Sequence, residues 1–122
     1  MSKLLIVDDE SDVREFARNF FRKRGIEVFV AANGADALSI VTAERPELVL
    51  LDIRMDAMNG LEMLREMRRV HDQTRVIMVS GLEDEKIVEE VKGLGVTNFI
   101  HKPLILDELE KIVLAELGHV AC

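Results

Sequence analysis

The chain contains four short apolar runs, and each ends on a residue able to bind or react. Leu4-Leu5-Ile6-Val7 leads into Asp8-Asp9, and Leu48-Val49-Leu50-Leu51 into Asp52. Val76-Ile77-Met78-Val79 ends at Ser80, and Phe99-Ile100-His101 at Lys102-Pro103. Runs that are continuously apolar, rather than alternating, are what a parallel sheet needs when helices cover both of its faces. Open sheets of this kind bind ligands beyond the carboxyl ends of their strands. The endings are therefore expected to meet along one edge. Three carboxylates, a hydroxyl and an ammonium suit a divalent cation beside a phosphoryl group.

Helical patterns fill the intervals between the runs, which is the order expected of repeated βαβ units. Val13, Phe16, Ala17, Phe20 and Phe21 recur at helical spacing, with Asp12 and Glu15 placed as a capping box and Gly25 as a stop. Ile26 to Ala31 reads as a further strand. Asn33-Gly34 then turns the chain into a helix carrying Ala37, Leu38 and Val41, which must end before Pro46. Leu61, Leu64 and Met67 mark the next helix, whose basic tail of Arg65, Arg68 and Arg69 suits the negative end of its dipole. Another helix runs through Val91 and breaks at Gly93 and Gly95. Asp107 and Glu110 open a last one bearing Leu109, Ile112 and Val113. The expected fold is α/β, with five strands and five helices in a single domain, 1–122.

The net charge of −7 argues against direct nucleic-acid binding, which calls for a basic patch. The single cysteine, Cys122, cannot form an internal disulfide, so a cytoplasmic location is expected. Leu4 to Val7 is too short for a signal peptide, and no run approaches the length needed for membrane insertion.

Asp8 and Asp9 lie far from Asp52 in sequence, so only folding can bring them together. Clustered carboxylates resist joint ionisation unless a cation compensates them. Mg²⁺ does so with hard oxygen ligands while keeping waters that phosphate oxygens can replace. Asp52 ends the most apolar run and is the expected nucleophile, since a carboxylate can attack a phosphoryl donor to give an aspartyl phosphate. Lys102 supplies a flexible point charge for phosphate, and Ser80 a hydroxyl donor. Taken singly, each residue also has a plain reading: Asp8-Asp9 as a helix-capping turn, Asp52 as a loop carboxylate, Ser80 as a strand end, Lys102 as solvated surface.

With these residues in place, the chain resembles the receiver domains of two-component response regulators over essentially its whole length. The matching motifs are Val7-Asp8-Asp9-Glu10, Val79-Ser80-Gly81, Lys102-Pro103 and, most specifically, the loop from Asp52 to Asn59-Gly60. It departs from the family at Asp56, where proline is usual. The resemblance implies a flavodoxin-like, doubly wound sheet in the order 2-1-3-4-5. It implies Asp52 as phosphoacceptor from a histidine kinase or phosphotransfer protein, and Mg²⁺ held by Asp8, Asp9, Asp52 and the Arg54 carbonyl. It further implies Lys102 and Ser80 on the phosphoryl group, a cis Lys102–Pro103 peptide, and Ser80 with Phe99 as a switch. Phosphorylation is then expected to alter a face that includes Val88, Phe99, His101 and Ile112, and so to change binding of a downstream protein. Arg54 and Leu82 occupy positions that tune autodephosphorylation in the family.

His71 and His119 lack metal-ligand spacing and read as helix-tail residues, while the methionines read as core filler. Two settings fit the phosphoreceiver reading: a stand-alone signalling protein, since little chain follows the last helix, or the receiver of a longer regulator such as a transcription factor. An aspartyl-phosphate phosphatase of the haloacid-dehalogenase type is disfavoured. Such an enzyme needs an aspartate two residues after the nucleophile, where this chain has Arg54.

Overall fold

Strands and helices alternate through the chain: β1 (Lys3–Val7), α1 (Ser11–Arg22), β2 (Glu27–Ala31), α2 (Gly34–Glu44), β3 (Leu48–Ile53), α3 (Met58–Val70), β4 (Arg75–Ser80), α4 (Glu85–Gly93), β5 (Asn98–His101) and α5 (Leu106–Glu116). The structure is a computed structural model that describes residues 2–53, 58–70, 74–80, 85–96, 98–101 and 106–118. All the strand pairings are parallel, and the five-stranded sheet has the order β2-β1-β3-β4-β5. The strand order expected from the family resemblance is thus present.

Side-chain alternation divides the core into two layers. Leu5, Val7, Val49, Leu51, Val76 and Met78 pack with Ala37 and Val41 of α2, Leu61, Met63, Leu64 and Met67 of α3, and Val91 of α4. On the opposite face, Leu4, Ile6, Val28, Leu48, Leu50, Ile77 and Val79 pack with Ala17 and Phe21 of α1 and with Leu109 and Val113 of α5. Strands buried on both sides have no polar face to offer, which is why they read as unbroken apolar runs.

Local signals explain most element ends. Asn33 caps α2 by accepting a hydrogen bond from the Asp36 N–H at 2.9 Å. That helix closes on Arg45, whose φ of 51° is left-handed, immediately before Pro46. Gly25, with φ of 80°, ends α1 while the Ile26 N–H returns to the Phe21 carbonyl at 3.3 Å. Ile26 is consumed in this closure, so β2 starts one residue later than its apolar pattern suggests.

The structure differs from the sequence expectation at two points on α1. The Asp12–Glu15 capping box does not cap α1, because the helix begins at Ser11, with Glu10 as N-cap, and Asp12 already lies inside the first turn. The Phe16 side chain is 56% exposed, whereas Phe21 is fully buried. The Ala17–Phe21 line faces the sheet, and Phe16 is rotated off it to stack on Phe20, with ring centroids 6.4 Å apart. Phe20 in turn stacks under the Arg24 guanidinium.

The last turn of α3 is basic, as its dipole favours, and Arg69 pairs with Glu66 of the same helix, while Arg65 and Arg68 also reach neighbouring elements. Arg68 donates to the carbonyls of Leu94, Thr74 and Gly95, and Arg65 pairs with Glu90 of α4. The Arg65 hydrogen bond holds the Glu90 carboxyl below its ordinary range, so this contribution is present at neutral pH and fades as acid protonates Glu90. Glu110 of α5 likewise pairs with Arg24, in the turn after α1.

Burial predicts opposite outcomes for neighbouring phenylalanines. Phe21→Ala should destabilise the fold by about 3–5 kcal/mol. Phe16→Ala, which loses an exposed stacking contact, should cost less than about 1.5 kcal/mol. Chemical denaturation of the two variants measures the difference directly.

Candidate functional site

The strand order reverses direction around β1 and β3: β2 lies beyond β1, and β4 beyond β3. α1, the helix after β1, packs on one face of the sheet and α3, the helix after β3, on the other, so a crevice is expected at the carboxyl ends of these two strands. Val7 pairs with Leu51, so the next positions, Asp8 and Asp52, emerge side by side at that crevice. Asp52 is still within β3, in register with Val79 of β4. It shares its sheet face with Leu48 and Leu50, the face covered by α1 and α5.

The turn after β1 is tightly bonded. The Asp8 N–H donates to the Ala31 carbonyl at 3.1 Å, extending the pairing with β2 by one bond. The Glu10 N–H donates to Asp8 Oδ1 at 2.9 Å, a turn closed by an aspartate side chain. Arg14 donates through Nη1 to the Asp8 carbonyl at 2.7 Å.

This turn brings carboxylate oxygens of Asp8, Asp9 and Asp52 within 4.8 Å of one another. Asp8 is only 7% exposed, Asp52 is half-buried and Asp9 is open to solvent, so the cluster runs from the sheet edge outward. Behind it lies a narrow apolar cleft lined by Ile6, Val13, Ala17, Leu50, Val79 and Leu109. Apolar walls lower the local dielectric, which strengthens repulsion among the carboxylates and attraction to any cation they bind. An all-oxygen donor set with a solvent-facing member fits a hard divalent cation that keeps part of its water, as Mg²⁺ does.

The structure therefore joins Asp8, Asp9 and Asp52, as the strand endings predict. Arg54, Asp56, His71, Leu82, Lys102, Pro103 and His119 lie outside the described residues, as do the side chains of Ser80, Val88 and His101. The Ser80 backbone ends β4, in register with Ile53 and His101. Phe99 pairs with Met78 and is half-buried against the layer formed with α2, α3 and α4. Ile112 is half-buried against the opposite layer. Sequence reasoning missed Arg14, whose only advance signal is a cation on the first turns of the helix that follows Asp8-Asp9.

A family model described as the response regulator receiver domain matches residues 4–114. Sporulation initiation phosphotransferase F of Bacillus subtilis (strain 168) is 40% identical over 111 residues, spanning 91% of this chain and 90% of that protein. Regulatory protein AtoC of Escherichia coli (strain K12) is 37% identical over 113 residues, 93% of this chain but only 24% of that protein. Among solved structures, the receiver domain of the Francisella response regulator 1452 superposes with a TM-score of 0.85 at 26% identity, covering 97% of this chain and 98% of that one. A CheY-like response regulator receiver domain protein from Methanospirillum hungatei JF-1 gives a TM-score of 0.89 at 25% identity, covering 97% and 94%.

Crowded carboxylates should leave a stability signature. Asp8→Asn keeps a side-chain oxygen for the Glu10 N–H but removes one charge from the cluster. In metal-free buffer it should stabilise the fold by about 1 kcal/mol or more, since like charges at such separations repel by roughly 3 kcal/mol at an intermediate dielectric. Added Mg²⁺ should erase this advantage. Thermal unfolding with and without the cation reads both effects.

Proposed function

The chain belongs to the response regulator receiver domain family, and from that membership we propose that it accepts a phosphoryl group on Asp52 and relays the event to a protein-binding surface. The observation that carries this reading is the meeting of Asp8, Asp9 and Asp52 at the β1–β3 crevice. The donor is a sensor histidine kinase or a phosphotransfer protein, and the recipient of the signal is a downstream protein. The working unit is 1–122, acting in the cytoplasm.

In the transfer, an oxygen of the Asp52 carboxylate attacks the phosphorus of a phosphohistidine. The new P–O bond forms as the P–N bond breaks, and the electron pair leaves with the imidazole, which takes a proton from solvent. Phosphoryl transfer demands alignment and charge neutralisation more than covalent assistance. Bound Mg²⁺ supplies positive charge against the phosphoryl oxygens. Asp8, Asp9, Asp52 and the Arg54 carbonyl would hold it, and Lys102 would pair with the phosphoryl group. Water later hydrolyses the acyl phosphate, returning the Asp52 carboxylate and inorganic phosphate. The chain is thus a signalling domain that takes part in its own phosphorylation and autodephosphorylation.

The signal leaves through Ser80 and Phe99. The phosphoryl oxygens favour an inward Ser80 hydroxyl, and the space vacated is filled by the Phe99 ring. A phosphoryl group shifts such an equilibrium only by binding one arrangement better than the other. Phenylalanine has no phenolic oxygen to hold it at the surface, so inward packing suits it. The affected face comprises α4, β5 and α5, with Val88, Phe99, His101 and Ile112. A second setting is supported by AtoC, of which the match covers only 24%. There the same chemistry serves as the receiver of a longer regulator.

Incubation with a small phosphodonor and Mg²⁺ should add one phosphoryl group by intact mass, and Asp52→Asn should abolish the addition. Full labelling of that variant overturns Asp52 as the acceptor. Asp9→Ala should reduce Mg²⁺-dependent labelling more than Asp56→Ala; the reverse order would relocate the metal. With beryllofluoride as phosphoryl mimic, amide shifts should change at Val88, Phe99 and Ile112 as well as at Asp9 and Asp52. Changes confined to the acidic cluster would refute this output route.

A further inference from the structure

Successive residues along a strand point to opposite faces, yet Asp8 and Asp9 both bring an oxygen to the cluster with Asp52. The peptide linking them must therefore be held in an orientation that a continuing strand would not give. Its carbonyl, that of Asp8, lies one residue beyond the last β1–β2 pair, Val7 with Ala31. Arg14 donates to this carbonyl at 2.7 Å from a partly buried position. The Arg14 backbone N–H also donates to the Glu10 carbonyl at 3.1 Å, while the Glu10 N–H holds Asp8 Oδ1 at 2.9 Å. One residue on the first turns of α1 is thus tied to the turn through both its main chain and its side chain.

We propose that Arg14 is a positioning residue that locks the Asp8–Asp9 peptide so that both carboxylates face Asp52 in a cation-accepting arrangement. The inference rests on reading the acidic cluster as the Mg²⁺ site. Groups that orient metal ligands without touching the metal commonly change affinity by about 10–100-fold when removed. The sign separates this role from plain electrostatics. A guanidinium beside a cation site repels the cation, so if Arg14 acted only through its charge, its removal would tighten Mg²⁺ binding. A positioning role requires the opposite.

The chain has no tryptophan or tyrosine, so Mg²⁺ titration is best followed by the backbone amide shifts of Asp9 and Asp52. Arg14→Ala should weaken Mg²⁺ binding by about 10-fold. Arg14→Lys, whose ammonium can still donate to the Asp8 carbonyl, should stay within about 3-fold of the parent, since it keeps the second-shell hydrogen bond. In an Asp9→Ala background, Arg14→Ala should cost less than it costs the parent, because the part of its effect that runs through Asp9 is already lost; a merely structural role would add in full. If Arg14→Ala does not fold, Arg14→Met keeps an apolar stem without the donor and carries the same expectation.

Parental or tighter Mg²⁺ binding by Arg14→Ala overturns the inference, as does a loss in Arg14→Lys equal to that in Arg14→Ala. A parent chain that does not bind Mg²⁺ overturns the site reading and this inference with it. Parental binding that Arg14→Ala leaves unaltered overturns this inference alone.

Discussion

Parallel pairing of β1 with β3, in the register that sets Val7 against Leu51, is the constraint on which the site depends. A slip of one residue would move Asp52 to the other sheet face and separate it from Asp8. Register is specified because both faces are buried: Leu48, Leu50 and Asp52 share one side, while Val49 and Leu51 occupy the other. Any displacement would push apolar side chains out of both layers at once. The hydrophobic core therefore does more than stabilise the chain. It determines which carboxylates meet.

That meeting opposes stability. Carboxylates with oxygens within 4.8 Å of one another repel, and the apolar cleft behind them weakens the screening that water would give. A fold can sustain such a cluster because the opposing terms sit elsewhere, in residues with no role at the site. Fully buried Phe21, Leu51, Leu64, Met67 and Met78 supply them. The remaining repulsion is the free energy that a divalent cation, once bound, would relieve.

Much of this was legible in the sequence, for a physical reason. Strands covered on both faces must be apolar throughout, so the first polar residue marks both the strand end and the ligand-binding edge. Asp8, Asp9 and Asp52 were readable on that basis, as was the turn into a helix at Asn33-Gly34. What escaped depends on distant partners. Periodicity could not separate Phe16 from Ala17 and Phe21, because the direction of the sheet, not the spacing, decides which edge of an apolar stripe is buried. The arginines of α3 suit their own helix dipole equally well, and only the position of α4 sends Arg68 to the Leu94 and Gly95 carbonyls. Arg14 was invisible for the same reason: its partner is a backbone carbonyl, and carbonyls leave no trace in residue type.

The contacts that sequence could not reveal are also those that couple elements to one another. Arg14 joins α1 to the end of β1, Arg24 joins the turn after α1 to α5 through Glu110, and Arg65 with Arg68 joins α3 to α4 and its end. Apolar layers resist dissociation but tolerate small shifts of one helix over a sheet, because dispersion contacts are individually weak and lack direction. Hydrogen bonds from guanidinium to carbonyl and carboxylate are directional and restrict such shifts. α3 holds α4 through these bonds, while β5, at the sheet edge, borders the same layer through Phe99. α3 and α4 are thus joined by directional bonds as well as by packing, a stiffer connection than an apolar layer alone would give.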